Sequence, residues 1–143
     1  MDTAVVVAVI SGLVAVITPT FAFYLTKARE RAADRHQRKF EQYQELLAAI
    51  GSIVGTDATP EGHRRFAAAC NTLNLMASVG VIRALHGYQD EIRVSNPHKS
   101  DERHDALLGK LVWEMRKDLG ISATRHVENF SVRLWCSGTG PLT

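Results

Sequence analysis

The sequence predicts an all-α protein in which one N-terminal transmembrane helix continues into a helical bundle of about four helices. Two observations predict this fold. Residues 4–25 contain no charged side chain, and most of the chain from there to Gly120 spaces its apolar residues three or four positions apart, as one face of a helix requires. The chain of 143 residues is therefore divided into an anchor at 1–26, a helical domain at 27–120 and a tail at 121–143 whose structure the pattern leaves open.

The uncharged run from Ala4 to Leu25 is long enough to cross a bilayer. As an α-helix it would extend roughly 33 Å, close to the roughly 30 Å of the hydrocarbon core. A cleaved signal peptide is the main alternative, but it begins with a basic region and ends at a small-residue cleavage site. Here the run follows Met1-Asp2-Thr3, and no Ala-x-Ala site comes after it. We therefore expect a retained span.

A cluster of basic residues follows the uncharged run, whereas the charged residue before it is Asp2. The cluster consists of Lys27, Arg29, Arg31, Arg35, Arg38 and Lys39. Cytoplasmic flanks of membrane helices carry an excess of Lys and Arg, so we expect a cell inner membrane, an N-terminus outside and a C-terminal domain in the cytoplasm. The lipid bilayer is thus the first predicted partner, and anchoring and orientation are the simplest use of these cations.

Two patterns predict contact with a second copy of the chain. Ala4, Ala8 and Gly12 recur at every fourth position, and such a stripe allows helix backbones to approach closely in a bilayer, although Ala and Gly are also common in spans. The second pattern has apolar residues at spacings of three, four and three, as in a coiled-coil seam. Its members are Phe40, Tyr43, Leu47 and Ile50. Because this seam is short, the face of a bundle helix is the favoured interpretation.

Capping signals divide the rest of the chain into helices. No Gly or Pro interrupts residues 27–50, so the span is expected to continue into the first helix of the bundle. A helix start is predicted at Thr59-Pro60-Glu61, with an end near Met76. Ser78 and Ser100-Asp101 are predicted to begin the next two helices, and Gly120 to end the last. The apolar side of the third helix is predicted at Val79, Ile82 and Leu85.

The sequence contains no strong pattern of catalytic or metal-binding residues. Its six histidines are scattered, no His-Glu-x-x-His motif or Gly-rich phosphate loop occurs, and neither Cys70 nor Cys136 belongs to a Cys-x-x-Cys pair. We therefore predict no metal and no cofactor. A formal net charge of +2 gives no argument for nucleic-acid binding. Enzymatic activity stays open, and the absence of a catalytic pattern favours a non-enzymatic protein.

One spacing resembles a catalytic motif. Arg-x4-His occurs at Arg31 and His36 and again at Arg93 and His98, as in the ribonuclease motif of HEPN domains, which are small helical bundles. The resemblance implies a histidine that moves a proton and an arginine that holds a phosphate. That family usually has a polar residue after the arginine, whereas Ala32 and Val94 follow here. A membrane-tethered HEPN-like ribonuclease is thus an alternative function.

Three short stretches resemble a group of small bacterial single-pass membrane proteins with a cytosolic helical domain. They are Tyr43-Gln44-Glu45-Leu46-Leu47, Leu73-Asn74-Leu75-Met76-Ala77-Ser78 and Met115-Arg116-Lys117-Asp118-Leu119-Gly120. Some members of that group look like accessories of antiviral systems, including those with RNA-guided nucleases. The resemblance implies the architecture and a role in antiviral defence. Together with the two patterns that predict contact between copies, it favours an oligomeric inner-membrane effector or accessory protein that acts by assembling at the membrane or perturbing it, for example as a pore. An anchored adaptor for a cytosolic protein partner is a further alternative.

Overall fold

A computed structural model describes residues 2–54, 58–121, 130–132 and 134, and within residues 6–18 it describes the backbone alone. The described residues form four α-helices and no strand, so the all-α prediction is confirmed. The helices are α1 (Thr3–Gly51), α2 (Pro60–Leu73), α3 (Val79–Ile92) and α4 (Asp101–Asp118).

Among the described residues, no helix is sufficiently long and apolar to cross a membrane. The predicted span at Ala4 to Leu25 includes residues 6–18, whose side chains lie outside the described part of the chain. The transmembrane helix therefore stays a prediction.

The chain divides into two compact units, Met1–Arg38 and Lys39–Thr143. Helix α1 is continuous from Thr3 to Gly51 and contains Pro19, as predicted for a helix that runs on beyond the uncharged segment. The division predicted from the sequence lies at residue 26, where the uncharged run ends. The unit boundary lies about three turns further on, just before α1 begins to bury side chains.

The N-terminal unit is one helix whose described side chains are all exposed, at residues 2–5 and 19–38. These include large apolar and aromatic groups, since Phe21, Phe23 and Tyr24 are 64%, 60% and 68% exposed. Most helices in proteins are stabilised by packing an apolar face against a neighbour. The described side chains of this unit have no such packing.

The second unit contains a hydrophobic core built from the end of α1 and from α2, α3 and α4, which confirms the predicted helical bundle. Helix α1 contributes Tyr43, Leu46, Ala49 and Ile50, each 2% exposed or less. The seam on α1 is therefore the face of a bundle helix. Of the four seam residues proposed as contacts between copies, Tyr43 and Ile50 are instead occupied inside the chain, Leu47 is half-buried, and Phe40 remains 38% exposed.

Capping side chains start the helices of the bundle at the predicted positions. The Thr59 hydroxyl accepts a hydrogen bond from the Gly62 N–H at 3.0 Å. Ser78 and Ser100 cap α3 and α4 in the same way. Helix α2 ends at Leu73, three residues before the predicted end, because the Leu75 and Met76 N–H groups bond carbonyls three positions back, which tightens the last turn.

The buried side of α3 agrees with the prediction at Leu85 and differs from it at Val79. Val81, Ala84, Leu85 and Tyr88 are buried, whereas Val79 is 70% exposed. The prediction counted aliphatic residues alone and started from Val79. The buried phenol ring of Tyr88 lies seven positions after Val81, which is two helical turns, and this places the core-facing stripe on the Val81 side of the helix.

Two described residues of the tail pack on the bundle. The Phe130 ring lies 5.6 Å from the Trp113 ring and 5.6 Å from the Arg116 guanidinium carbon, and Leu134 packs against the core. A Cβ atom on Gly109 would lie 3.0 Å from the Phe130 carbonyl oxygen, so Gly109 allows the tail to approach α4 closely. Residues 122–129, 133 and 135–143 lie outside the described part of the predicted tail.

Candidate functional site

The most unusual surface of the described chain is the charged segment, residues 27–38 of α1. At about 100° per residue, the cations at positions 27, 31, 35 and 38 fall within an arc of about 80° on one side of the helix. We call these four residues the basic face: Lys27, Arg31, Arg35 and Arg38. Glu30 and Asp34 lie beside the basic face, at the same height along the helix, and all six side chains are exposed.

Most of the charges in this segment have no partner among the described residues. Lys27 is the exception, because its ammonium group lies 2.7 Å from Glu30 and 5.9 Å from the centre of the Phe23 ring. Arg31, Arg35, Arg38 and Asp34 form no ion pair or hydrogen bond within the described part of the chain. The three guanidinium groups of the basic face are thus available to an external anion.

Lys39 belongs to a different site from the other predicted membrane-flank cations. Its ammonium group lies 3.0 Å from the Asp118 carboxylate, which also accepts a hydrogen bond from the Tyr43 hydroxyl and one from the Ser78 backbone N–H. Burial alone would raise the pKa of the Asp118 carboxyl, but these hydrogen bonds and the charge of Lys39 together lower it. Burial and the Asp118 carboxylate raise the pKa of Tyr43. The site joins the last turns of α1 to the start of α3 and the end of α4.

A second buried carboxylate organises the loop between α3 and α4. Glu91 is 5% exposed, and its carboxylate accepts hydrogen bonds from the Ser100 N–H at 2.9 Å and from the Asn96 amide at 3.3 Å. The Asn96 side chain also donates to the Glu91 backbone carbonyl and accepts from the His98 N–H, both at 3.0 Å. These contacts fix the loop, so we assign Glu91 a structural role.

A chain of polar groups lies next to this loop. The Tyr88 hydroxyl is 3.0 Å from Nε2 of His104, and Nδ1 of His104 is 3.2 Å from the Asp105 carboxylate. Burial, followed by the negative charge of Asp105, raises the pKa of Tyr88 to about 12. His104 lines an open cavity of about 200 Å³ with Glu91 and Ile53. The sequence does not indicate this arrangement, because Tyr88 and His104 are 16 positions apart and no local pattern links them.

The described structure places the residues of the Arg-x4-His motif on exposed surfaces. Arg31 and His36 project from α1 in directions about 140° apart, since they are five positions apart on one helix. Arg93 ends α3 and lies 3.3 Å from Asp90, while His98 is exposed in the following loop. Among the described residues there is also no group of three His, Cys, Asp or Glu side chains placed to bind a metal. The ribonuclease alternative stays a prediction.

Comparisons of the chain with family models, curated proteins and solved structures find no match. The resemblance to bacterial single-pass membrane proteins therefore stays a prediction.

Proposed function

We propose that this chain is a single-pass inner-membrane protein that forms homo-oligomers and acts without catalysis, by assembling at the membrane or perturbing it. One observation supports the proposal above the others. The described side chains of the N-terminal unit, residues 2–5 and 19–38, are all exposed on a continuous helix.

The exposed side chains described in this unit, at residues 2–5 and 19–38, can be covered by a bilayer or by another protein. In proteins, helices owe most of their stability to the burial of an apolar face. Here the apolar side chains of Phe21, Phe23 and Leu25 are exposed. The uncharged residues 4–25 suit the hydrocarbon core of a bilayer in length and composition. The aromatic side chains before Lys27 suit the membrane–water interface, where such residues are common.

Self-association follows from the same exposed helix. Once the span is in lipid, its only protein neighbour is another copy or another membrane protein. The stripe of Ala4, Ala8 and Gly12 offers the close approach that such packing needs. The cations of the charged segment favour an orientation with the bundle in the cytoplasm. A role in antiviral defence is part of the proposal through the resemblance alone.

The mass of the purified full-length chain in a mild neutral detergent tests this proposal. We expect a particle containing several copies. Gly12→Leu should shift the particle toward monomer, because the larger side chain separates the helix backbones. Ile17→Leu is the matched control, since position 17 lies about 180° from position 8 around the helix, and it should leave the mass unchanged. A wild-type chain that is monomeric at every concentration would contradict the proposal.

A further inference from the structure

The charged segment extends further from the bilayer than lipid headgroups can account for. At 1.5 Å per residue, Lys27 lies roughly 3 Å beyond Leu25 along the helix, Arg31 roughly 9 Å, Arg35 roughly 15 Å and Arg38 roughly 20 Å. An average tilt of about 20° shortens these heights by less than a tenth. The attraction of an anionic leaflet decays within a Debye length of about 8 Å at physiological salt. The headgroup layer itself occupies about 5–7 Å beyond the hydrocarbon core. The leaflet therefore accounts for Lys27 and Arg31, attracts Arg35 only weakly, and leaves Arg38 without an anion.

The same stretch of helix also carries carboxylates at matching heights. Glu30 and Asp34 are exposed on the side of α1 next to the basic face, and the centres of the two groups are about 75° apart around the helix. Asp34 has no partner among the described residues. One copy therefore presents cations in one direction and anions in a neighbouring direction, at the same distance from the membrane.

We propose that the basic face of one copy binds Glu30 and Asp34 of a second, parallel copy. This inference rests on the proposed oligomer, because a shared membrane anchor would hold the copies parallel and at one depth. A contact centred on the basic face would bring like charges together, whereas a contact centred between the two groups places the cations of each copy opposite the carboxylates of the other. The contact therefore pairs the cations of each copy with the carboxylates of its neighbour, which both a symmetric pair of copies and a head-to-tail ring allow.

These ion pairs select the orientation and register of neighbouring copies more than they add affinity. Exposed pairs are individually weak and are screened by salt. Complementary charge nevertheless disfavours wrong alignments, because like charges then face each other. The span would supply the packing, and the charged segment would decide which sides of the helices meet.

Charge reversal with full-length protein in neutral detergent tests the inference. Arg35→Glu should raise the concentration at which half of the particles dissociate by about tenfold at low salt, and Arg29→Glu should not. Both substitutions make the same change on exposed positions of the segment, but Arg29 lies about 165° from the centre of the basic face. Raising the salt concentration should weaken assembly of the wild type and reduce the difference between the two variants.

A reciprocal exchange provides the stronger arm of the test. A chain with Arg31→Glu, Arg35→Glu and Arg38→Glu should assemble poorly, and so should a chain with Glu30→Lys and Asp34→Lys. A chain carrying all five substitutions, or an equimolar mixture of the two defective chains, should recover assembly, because opposite charges then face each other again.

The possible results separate this inference from the proposed function. A wild type that assembles while every reversal leaves assembly unchanged would overturn the ion-pair contact and leave the oligomer intact. A monomeric wild type would overturn both. A third result would assign the cations to lipid headgroups and reject the contact between copies. In this result, the variants with reversed cations assemble like the wild type in neutral detergent but less well than the wild type when anionic lipid is added, and the five-substitution chain does not recover assembly.

Discussion

At the scale of single residues, two buried or half-buried carboxylates join parts of the chain that are distant in sequence. Asp118 binds Lys39 and Tyr43 of α1, and Glu91 binds Ser100 across the α3–α4 loop. Neither partnership is visible in the sequence, because Tyr43 and Asp118 are 75 positions apart and no local pattern links them. The N-caps at Thr59, Ser78 and Ser100 were predictable, since a cap bonds an N–H group within its own first turn.

Replacing Asp118 by Asn should destabilise the bundle by about 1–2 kcal/mol at pH 7, because charge-assisted hydrogen bonds from Lys39, Tyr43 and the Ser78 N–H are weakened. The pKa of Asp118 is lowered in the folded state. The carboxylate therefore stabilises the fold fully above its unfolded pKa of about 3.9, and this contribution is lost as the pH falls through the folded pKa. Urea unfolding followed by tryptophan fluorescence from pH 7 to pH 3 measures the effect.

The control for this prediction is Asp90→Asn, which neutralises an exposed carboxylate whose ion pair is with Arg93. Such a pair contributes little, so the control should change the free energy of unfolding by less than about 0.5 kcal/mol. The difference between wild type and Asp118→Asn should shrink toward low pH. A difference that stays constant from pH 7 to pH 3 would reject the role given to the ionised carboxylate.

At the scale of elements, helix ends were more predictable than helix faces. Gly120 has φ +70°, the Gly120 N–H bonds the Lys117 carbonyl at 3.0 Å, and the Ile121 N–H bonds the Arg116 carbonyl at 2.8 Å. This is a Schellman motif, which the glycine after a basic last turn indicates directly. The buried face of α3 was predicted in part, since Leu85 is buried and Val79 is exposed. That face depends on which neighbours α3 packs against, and the position of Tyr88 decides it.

Substituting Gly120 by Ala should lower the free energy of unfolding by about 1 kcal/mol, because a Cβ atom is unfavourable at positive φ. Gly51→Ala is the matched control: Gly51 ends α1, and an added Cβ would meet no atom of the described residues within 4 Å. It should leave stability unchanged or slightly increased, since Ala favours helix. Thermal unfolding of both variants measures the difference. Equal stability of the two variants would contradict the requirement for glycine at position 120.

At the scale of the whole molecule, the spacing of apolar residues predicts the all-α bundle. It does not predict the residue at which the two compact units divide. The uncharged run suggests a boundary at residue 26, whereas the units divide after Arg38. Burial along α1 begins where side chains such as Lys39 and Tyr43 find partners on α4, and those partners come from the far end of the sequence. The unpaired cations of the basic face were visible as a cluster, but their arrangement beside Glu30 and Asp34 became clear only on the continuous helix.

The central claim is that residues 4–25 hold the chain in a membrane with the bundle in the cytoplasm. The most direct measurement expresses the full-length chain with a tag at each end in a bacterial host, extracts the membranes with alkaline carbonate, and treats intact spheroplasts with protease. We expect the chain to stay in the extracted membranes, the N-terminal tag to be cleaved and the C-terminal tag to be protected. Recovery of the chain in the carbonate supernatant, with both tags protected, would contradict it.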